Sequence, residues 1–243
     1  MRLINNQNYY LIRKDVMERR MILGLAALPV SAVLALAAVF FRGAEVLPLT
    51  DIALWAETVT GPLYSIAQKV YIMAYVLLFF GYWALYRYFS GFEKAEKFVF
   101  WGFVFSLWGI GLALPTQGVF TYVSPYLAQL FQEGNTALPD MLIGIANRDS
   151  IYLGIPAAIF YSAGTILCGL GILRTGVFPN IIPLILIPHG LLLSLSISRF
   201  PVLILAWLTL FASGFSLAYF IIVSEEEDEE DVSESNSSDF EES

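Results

Sequence analysis

Residues 181–223 read IIPLILIPHGLLLSLSISRFPVLILAWLTLFASGFSLAYFIIV. Across these 43 residues Arg199 is the only Asp, Glu, Lys or Arg. One unbroken helix of that length would run about 65 Å, roughly twice the hydrocarbon thickness of a bilayer. The chain must therefore break. Arg199-Phe200-Pro201 supplies the break, because the residue before a proline avoids helical backbone. The stretch thus reads as two apolar helices, 181–198 and 200–223.

Toward the N-terminus, four more stretches lack those four residue types: 21–41, 70–86, 98–120 and 151–173. A crossing helix needs about 20 apolar residues. The 17-residue stretch 70–86 reaches that length by extending back toward Pro62 or by letting Lys69 snorkel. The six stretches occupy 126 of 243 residues. Charged residues make up 14% of the chain, against about 25% in a soluble domain. With 58% apolar residues and a mean hydropathy of +0.69, an ordinary water-soluble globule is excluded. Such runs are too long for barrel strands of about 9–11 residues, so the spans are helices. The expected fold is all-α: a six-span bundle over 21–223, a basic arm over 1–20 and an acidic tail over 224–243.

The formal net charge of -8 belongs to that tail, which holds 11 acids and no base. The remainder carries 13 basic and 10 acidic residues, a net of +3. The bases form no stripe, which excludes nucleic-acid binding. Lys and Arg in the connecting segments set orientation. With the N-terminus inside, inner segments carry nine and outer segments four, so both termini are expected in the cytosol of a cell-membrane protein. The first span has the outline of a signal peptide, including Ala35-Leu36-Ala37, but its 21-residue run and long leading arm favour a retained span.

In the first long outer loop, Ile52, Trp55, Val59 and Leu54 share a helical face, predicting a short amphipathic helix on the membrane surface. The second outer loop, 121–150, reads as solvated and is punctuated by Pro125, Gly134 and Pro139. Glu93 and Lys97 stand at i,i+4, predicting a cytosolic extension of the third span. Tyr71, Tyr82, Trp83, Tyr86, Tyr88 and Trp101 read as an aromatic belt. Small residues at helical spacing (Ala27/Ser31/Ala35, Gly102/Ser106, Thr165/Gly169, Gly214/Ala218) predict close helix approaches, with homo-oligomerisation as a further option. The tail is expected to be disordered. Its run Glu225, Glu226, Glu227, Asp228, Glu229, Glu230 and Asp231 is the candidate docking segment for a basic protein partner.

At the connection between the fourth and fifth spans the chain reads GLGILRTGVFP, Gly169 to Pro179. This motif and the span layout over 20–223 resemble a family of small six-span prokaryotic membrane proteins catalogued only as a domain of unknown function. The resemblance implies a fold and no activity. Physically, Arg174 stays at the headgroups while Gly176 and Pro179 turn the chain back.

Two residues are candidate ligand or proton sites. His189, the only histidine, lies mid-span after Pro188, which frees the carbonyl of Leu184. It reads either as a bonded structural imidazole or as a proton or ligand site. Gln117 lies in Pro115-Thr116-Gln117-Gly118, read as an unwound polar pocket or the end of the third span. One His and one Cys cannot build a metal centre, and no cofactor motif is present in the sequence. Phe211-Ala212-Ser213-Gly214 resembles the end of the rhomboid-protease motif. Its first glycine is replaced, and the histidine precedes the serine, the reverse of that family's order. The favoured function is a non-enzymatic membrane protein that binds a partner or a small apolar ligand. The alternative is a small-molecule or proton-coupled transporter with a cavity near His189 and Gln117, and an intramembrane enzyme stands third.

Overall fold

A computed structural model describes residues 6–42, 51–135, 144, 150–195 and 200–241, with side chains described for 21–42, 51–135, 144, 152–195 and 200–221. The described residues are helical throughout, without a strand. The helices are α1 (Asn6–Arg42), α2 (Ile52–Thr60), α3 (Pro62–Phe89), α4 (Glu96–Gly118), α5 (Ser124–Gln132), α6 (Ile155–Thr175), α7 (Ile181–Leu195) and α8 (Phe200–Glu241). π-helical turns at Val119–Val123 and Ser150–Gly154 precede α5 and α6.

Five segments are long and apolar enough to cross a membrane: Met21–Arg42, Pro62–Phe89, Glu96–Gln132, Tyr152–Thr175 and Phe200–Ile221. The fifth apolar run forms the shorter helix α7, whose 15 residues make about 22 Å. The break between α7 and α8 falls after Leu195 and before Phe200, with the turn itself outside the described residues.

The six apolar helices alternate in direction. Gly24 meets Ala84 and Gly81 meets Leu28, so α1 and α3 are antiparallel. Gly102 meets Cys168 and Gly109 meets Tyr161, giving the same relation between α4 and α6. Ser194 bonds the Ala158 carbonyl while Gly169 meets Ile187, which sets α7 against α6. Phe40 packs on Phe200 and Gly214 on Leu28, so α8 runs opposite to α1. Phe178, in the α6–α7 turn, packs on Tyr88, Phe89 and Phe220. That turn therefore shares one end of the bundle with the α3–α4 connection. Leu23, Phe80, Trp108, Ile159, Leu184 and Phe215 are exposed on these six helices, an outward apolar face that suits lipid.

Small residues make the close approaches, as their spacing predicts. A Cβ on Gly102 would sit 2.5 Å from Cys168 Sγ and 2.7 Å from its backbone nitrogen. Cys168 is thus a buried packing residue of the α4–α6 crossing. At the end of α6, Gly176 takes φ +68°, left-handed backbone that any other L residue adopts at a cost. Arg174 lies 3.9 Å from the centre of the Phe98 ring. Gly176→Ala is expected to lower stability by about 1 kcal/mol, read as a small fall in melting temperature. An unchanged melt would show that the turn tolerates a side chain.

Several expectations are corrected. Glu93, Lys94 and Ala95 form a turn, and α4 begins at Glu96. Pro115–Gly118 neither unwinds nor ends a helix: α4 passes through it into the π turn and α5. Residues 121–132 are therefore helical, and Thr121, Leu127 and Ala128 are buried. Helix α2 forms as expected, with Asp51 Oδ1 accepting from Leu54 N at 3.0 Å. Its apolar face, however, packs Trp55, Ala56 and Val59 against Tyr64, Leu127 and Ala128 instead of lying on lipid. Protein packing replaces the lipid contact because α5 brings a matching apolar face. Tyr71 and Tyr82 leave the expected belt for the core, whereas Trp83 and Trp101 stay exposed. The backbone of α8 is described to Glu241.

Candidate functional site

The polar groups of the bundle gather around His189. Helix α7 passes between α6 and α8, and its Gly190 lets Thr165 of α6 come within contact of its backbone. Ser162 and Ser194 close the same seam, 2.6 Å apart between hydroxyls, with Ser194 Oγ 2.8 Å from the Gly190 carbonyl. This approach carries the neighbouring imidazole fully into the interior, where His189 is 0% exposed.

Both ring nitrogens of His189 are bonded. Nδ1 lies 2.7 Å from the Ala206 carbonyl oxygen on α8. A carbonyl only accepts, so Nδ1 carries the proton. Nε2 lies 2.8 Å from Tyr161 Oη on α6. In the uncharged ring Nε2 accepts the Tyr161 hydroxyl proton, and Tyr161 Oη is then free to accept from Tyr82 Oη, 3.3 Å away on α3. The bonds form one directed chain, Tyr82 to Tyr161 to His189 to the Ala206 carbonyl, across four helices.

Aromatic rings enclose this chain. The Trp207 ring lies 5.7 Å from that of His189 and packs edge-on against Tyr71 and Tyr75. Trp207 Nε1 donates to Tyr71 Oη at 3.3 Å. The Arg42 guanidinium stands over the Tyr71 ring at 5.6 Å, within cation–π range. Such hydrogen bonds hold helices together where lipid supplies no hydrophobic drive between them.

Of the residues singled out from the sequence, His189 occupies this centre. Gln117 does not join it. The α4–α6 register pairs Gly109 with Tyr161, so Gln117 stands eight residues, about 12 Å, farther along α4. Its Oε1 is buried without a hydrogen-bond partner among the described residues. The docking candidates Glu225 to Asp231 lie on the continuation of α8, where the backbone alone is described. Ser213 donates back to the Leu210 carbonyl at 3.2 Å within its own helix. Among the described residues no group of three or more His, Cys, Asp or Glu is placed to hold a metal ion.

Sequence reading passed over Tyr75, Tyr161, Trp207 and Gln68. A signal for Gln68 and Tyr75 was present: Tyr64, Gln68, Tyr71, Tyr75 and Tyr82 follow helical spacing, and all five are buried on one face of α3.

Compared with protein-family models, curated proteins and solved structures, the chain matches none.

Proposed function

We propose that this chain is a six-span cell-membrane protein with both termini in the cytosol, whose role is binding rather than chemistry. In this reading α7 is the fifth of the six spans and the shortest of them. Its antiparallel relation to α6 and its exposed Ile181, Leu184, Leu191 and Leu195 support that assignment. The nine-to-four distribution of Lys and Arg supports the orientation. The helix end at Gly176 supports kinship with the six-span family that the GLGILRTGVFP motif resembles.

The observation that carries the binding reading is the state of His189. Both ring nitrogens are engaged by structural partners, Tyr161 Oη and the Ala206 carbonyl, and among the described residues neither partner is a carboxylate. An imidazole held this way ties α6, α7 and α8 together. The ligand is a small apolar molecule from the membrane, or the partner is a protein. The acidic segment from Glu225 to Asp231 suits a basic protein surface.

Native mass spectrometry of the full chain released from lipid nanodiscs tests this reading. One defined non-bulk molecule or protein partner is expected to stay bound. A chain carrying only the bulk lipid of the disc would count against it.

The transporter alternative draws on the directed Tyr82–Tyr161–His189 chain, which resembles a proton relay. It requires proton-driven flux in liposomes that Tyr161→Phe abolishes. Under the binding reading no such flux is seen.

A further inference from the structure

We propose that Gln68 forms a binding site for the neutral carboxyl or carboxamide head of an apolar membrane molecule, at the seam between the α2–α5 pair and the bundle. This deepens the ligand-binding reading above and rests on it.

Gln68 is 1% exposed, and both Oε1 and Nε2 are fully buried without a hydrogen-bond partner among the described residues. A buried carboxamide in that state is costly, and native proteins resolve such groups with a partner. Its position is a boundary. Tyr64, one turn before it, packs with Trp55, Val59 and Leu127 in the α2–α5 cluster. Tyr71, one turn after it, belongs to the main core with Tyr75 and Trp207. A molecule entering between two separate apolar clusters breaks neither.

The chemistry of the side chain selects the head. A carboxamide presents an acceptor and donors side by side. A carboxylic acid or an amide answers both at once, in a cyclic pair of hydrogen bonds. An ester accepts from Nε2 and leaves Oε1 without a donor.

The full chain in phosphatidylcholine nanodiscs is loaded with oleamide, oleic acid or methyl oleate, and retained adducts are counted by native mass spectrometry. Oleamide and oleic acid are expected at one per chain, with methyl oleate retained about tenfold less, as one lost hydrogen bond and a stranded Oε1 imply. Gln68→Leu is expected to erase this preference while melting no lower than the wild type, because it removes a buried unpaired amide. Equal retention of methyl oleate by the wild-type chain overturns the proposal, as does a Gln68→Leu chain that still prefers oleamide. The three-probe comparison on the wild-type chain needs no variant, so it stands even where Gln68→Leu fails to fold. A different defined molecule on the wild-type chain, with no probe preference, sinks the Gln68 site and spares the binding reading. A chain that retains no defined molecule sinks both.

Discussion

Replacing His189 with alanine is expected to destabilise the bundle by about 3–5 kcal/mol, the range for emptying a large buried site that also loses hydrogen bonds. The imidazole is wholly enclosed, so its removal leaves a cavity lined by Trp207 and Tyr161. Tyr161 keeps only its longer 3.3 Å contact with Tyr82. The Ala206 carbonyl keeps the Thr209 hydroxyl at 2.7 Å but loses its link to α7. The tie between α6, α7 and α8 is cut at one point. Thermal unfolding in detergent micelles should register a fall of roughly 6–20 °C. Tyr161→Phe removes the bonds to His189 Nε2 and Tyr82 Oη and little volume, and should cost about 1–3 kcal/mol, chiefly because it strands Nε2. A His189→Ala chain that melts with the wild type would refute the structural role. Lost proton flux with an unchanged melt would move the assignment to the transporter reading.

Gly109→Val is expected to separate α4 from α6 and cost about 3 kcal/mol or more, at the upper end for overpacking. A Cβ at Gly109 would stand 2.6 Å from both Tyr161 Cβ and Tyr161 N, and 2.7 Å from its Cα. Backbone atoms of a packed helix cannot swing aside as a side-chain tip does, so the helices must part. Tyr161 is the partner of His189, so the displacement also reaches the central chain of bonds. Gly109→Ala should already be harmful. Gly111, two residues along the same helix, meets nothing within 4 Å of a built Cβ. Gly111→Ala is therefore the control, neutral or stabilising by a few tenths to 1 kcal/mol through helix propensity. Melting curves and size-exclusion profiles of the three variants decide the matter. Equal behaviour of Gly109→Ala and Gly111→Ala would show that the crossing is looser than its geometry.

The helices were legible because a charge-free run is a local property that lipid demands regardless of neighbours. The small residues at Gly102, Ser106, Thr165 and Gly169 were legible as packing faces, since only such residues let backbones approach. The turn at Gly176 was legible from its own residue types. Residues 121–132 were misread because prolines at 115 and 125 look like punctuation, whereas a proline opening a helix and a π turn let the chain run on.

The inner face of each helix was another matter. In a soluble helix the polar side points out, and the pattern tells the core from the surface. In a membrane helix both sides are apolar, so Tyr71 and Tyr82 read as belt residues, and Gln68, Tyr75, Tyr161 and Trp207 attracted no notice. The sequence by itself determined that this chain is a set of apolar helices and which small residues allow close contact. Those features follow from the solvent each segment must meet. The tertiary structure alone decided that Tyr82, Tyr161, His189 and the Ala206 carbonyl form one chain and that Gln117 stands apart from it. It alone placed Gln68 at a seam. The physical reason is that a hydrogen bond between helices depends on rotation and register. Those are set when six apolar surfaces choose their neighbours by fit, and no single stretch of sequence records that choice.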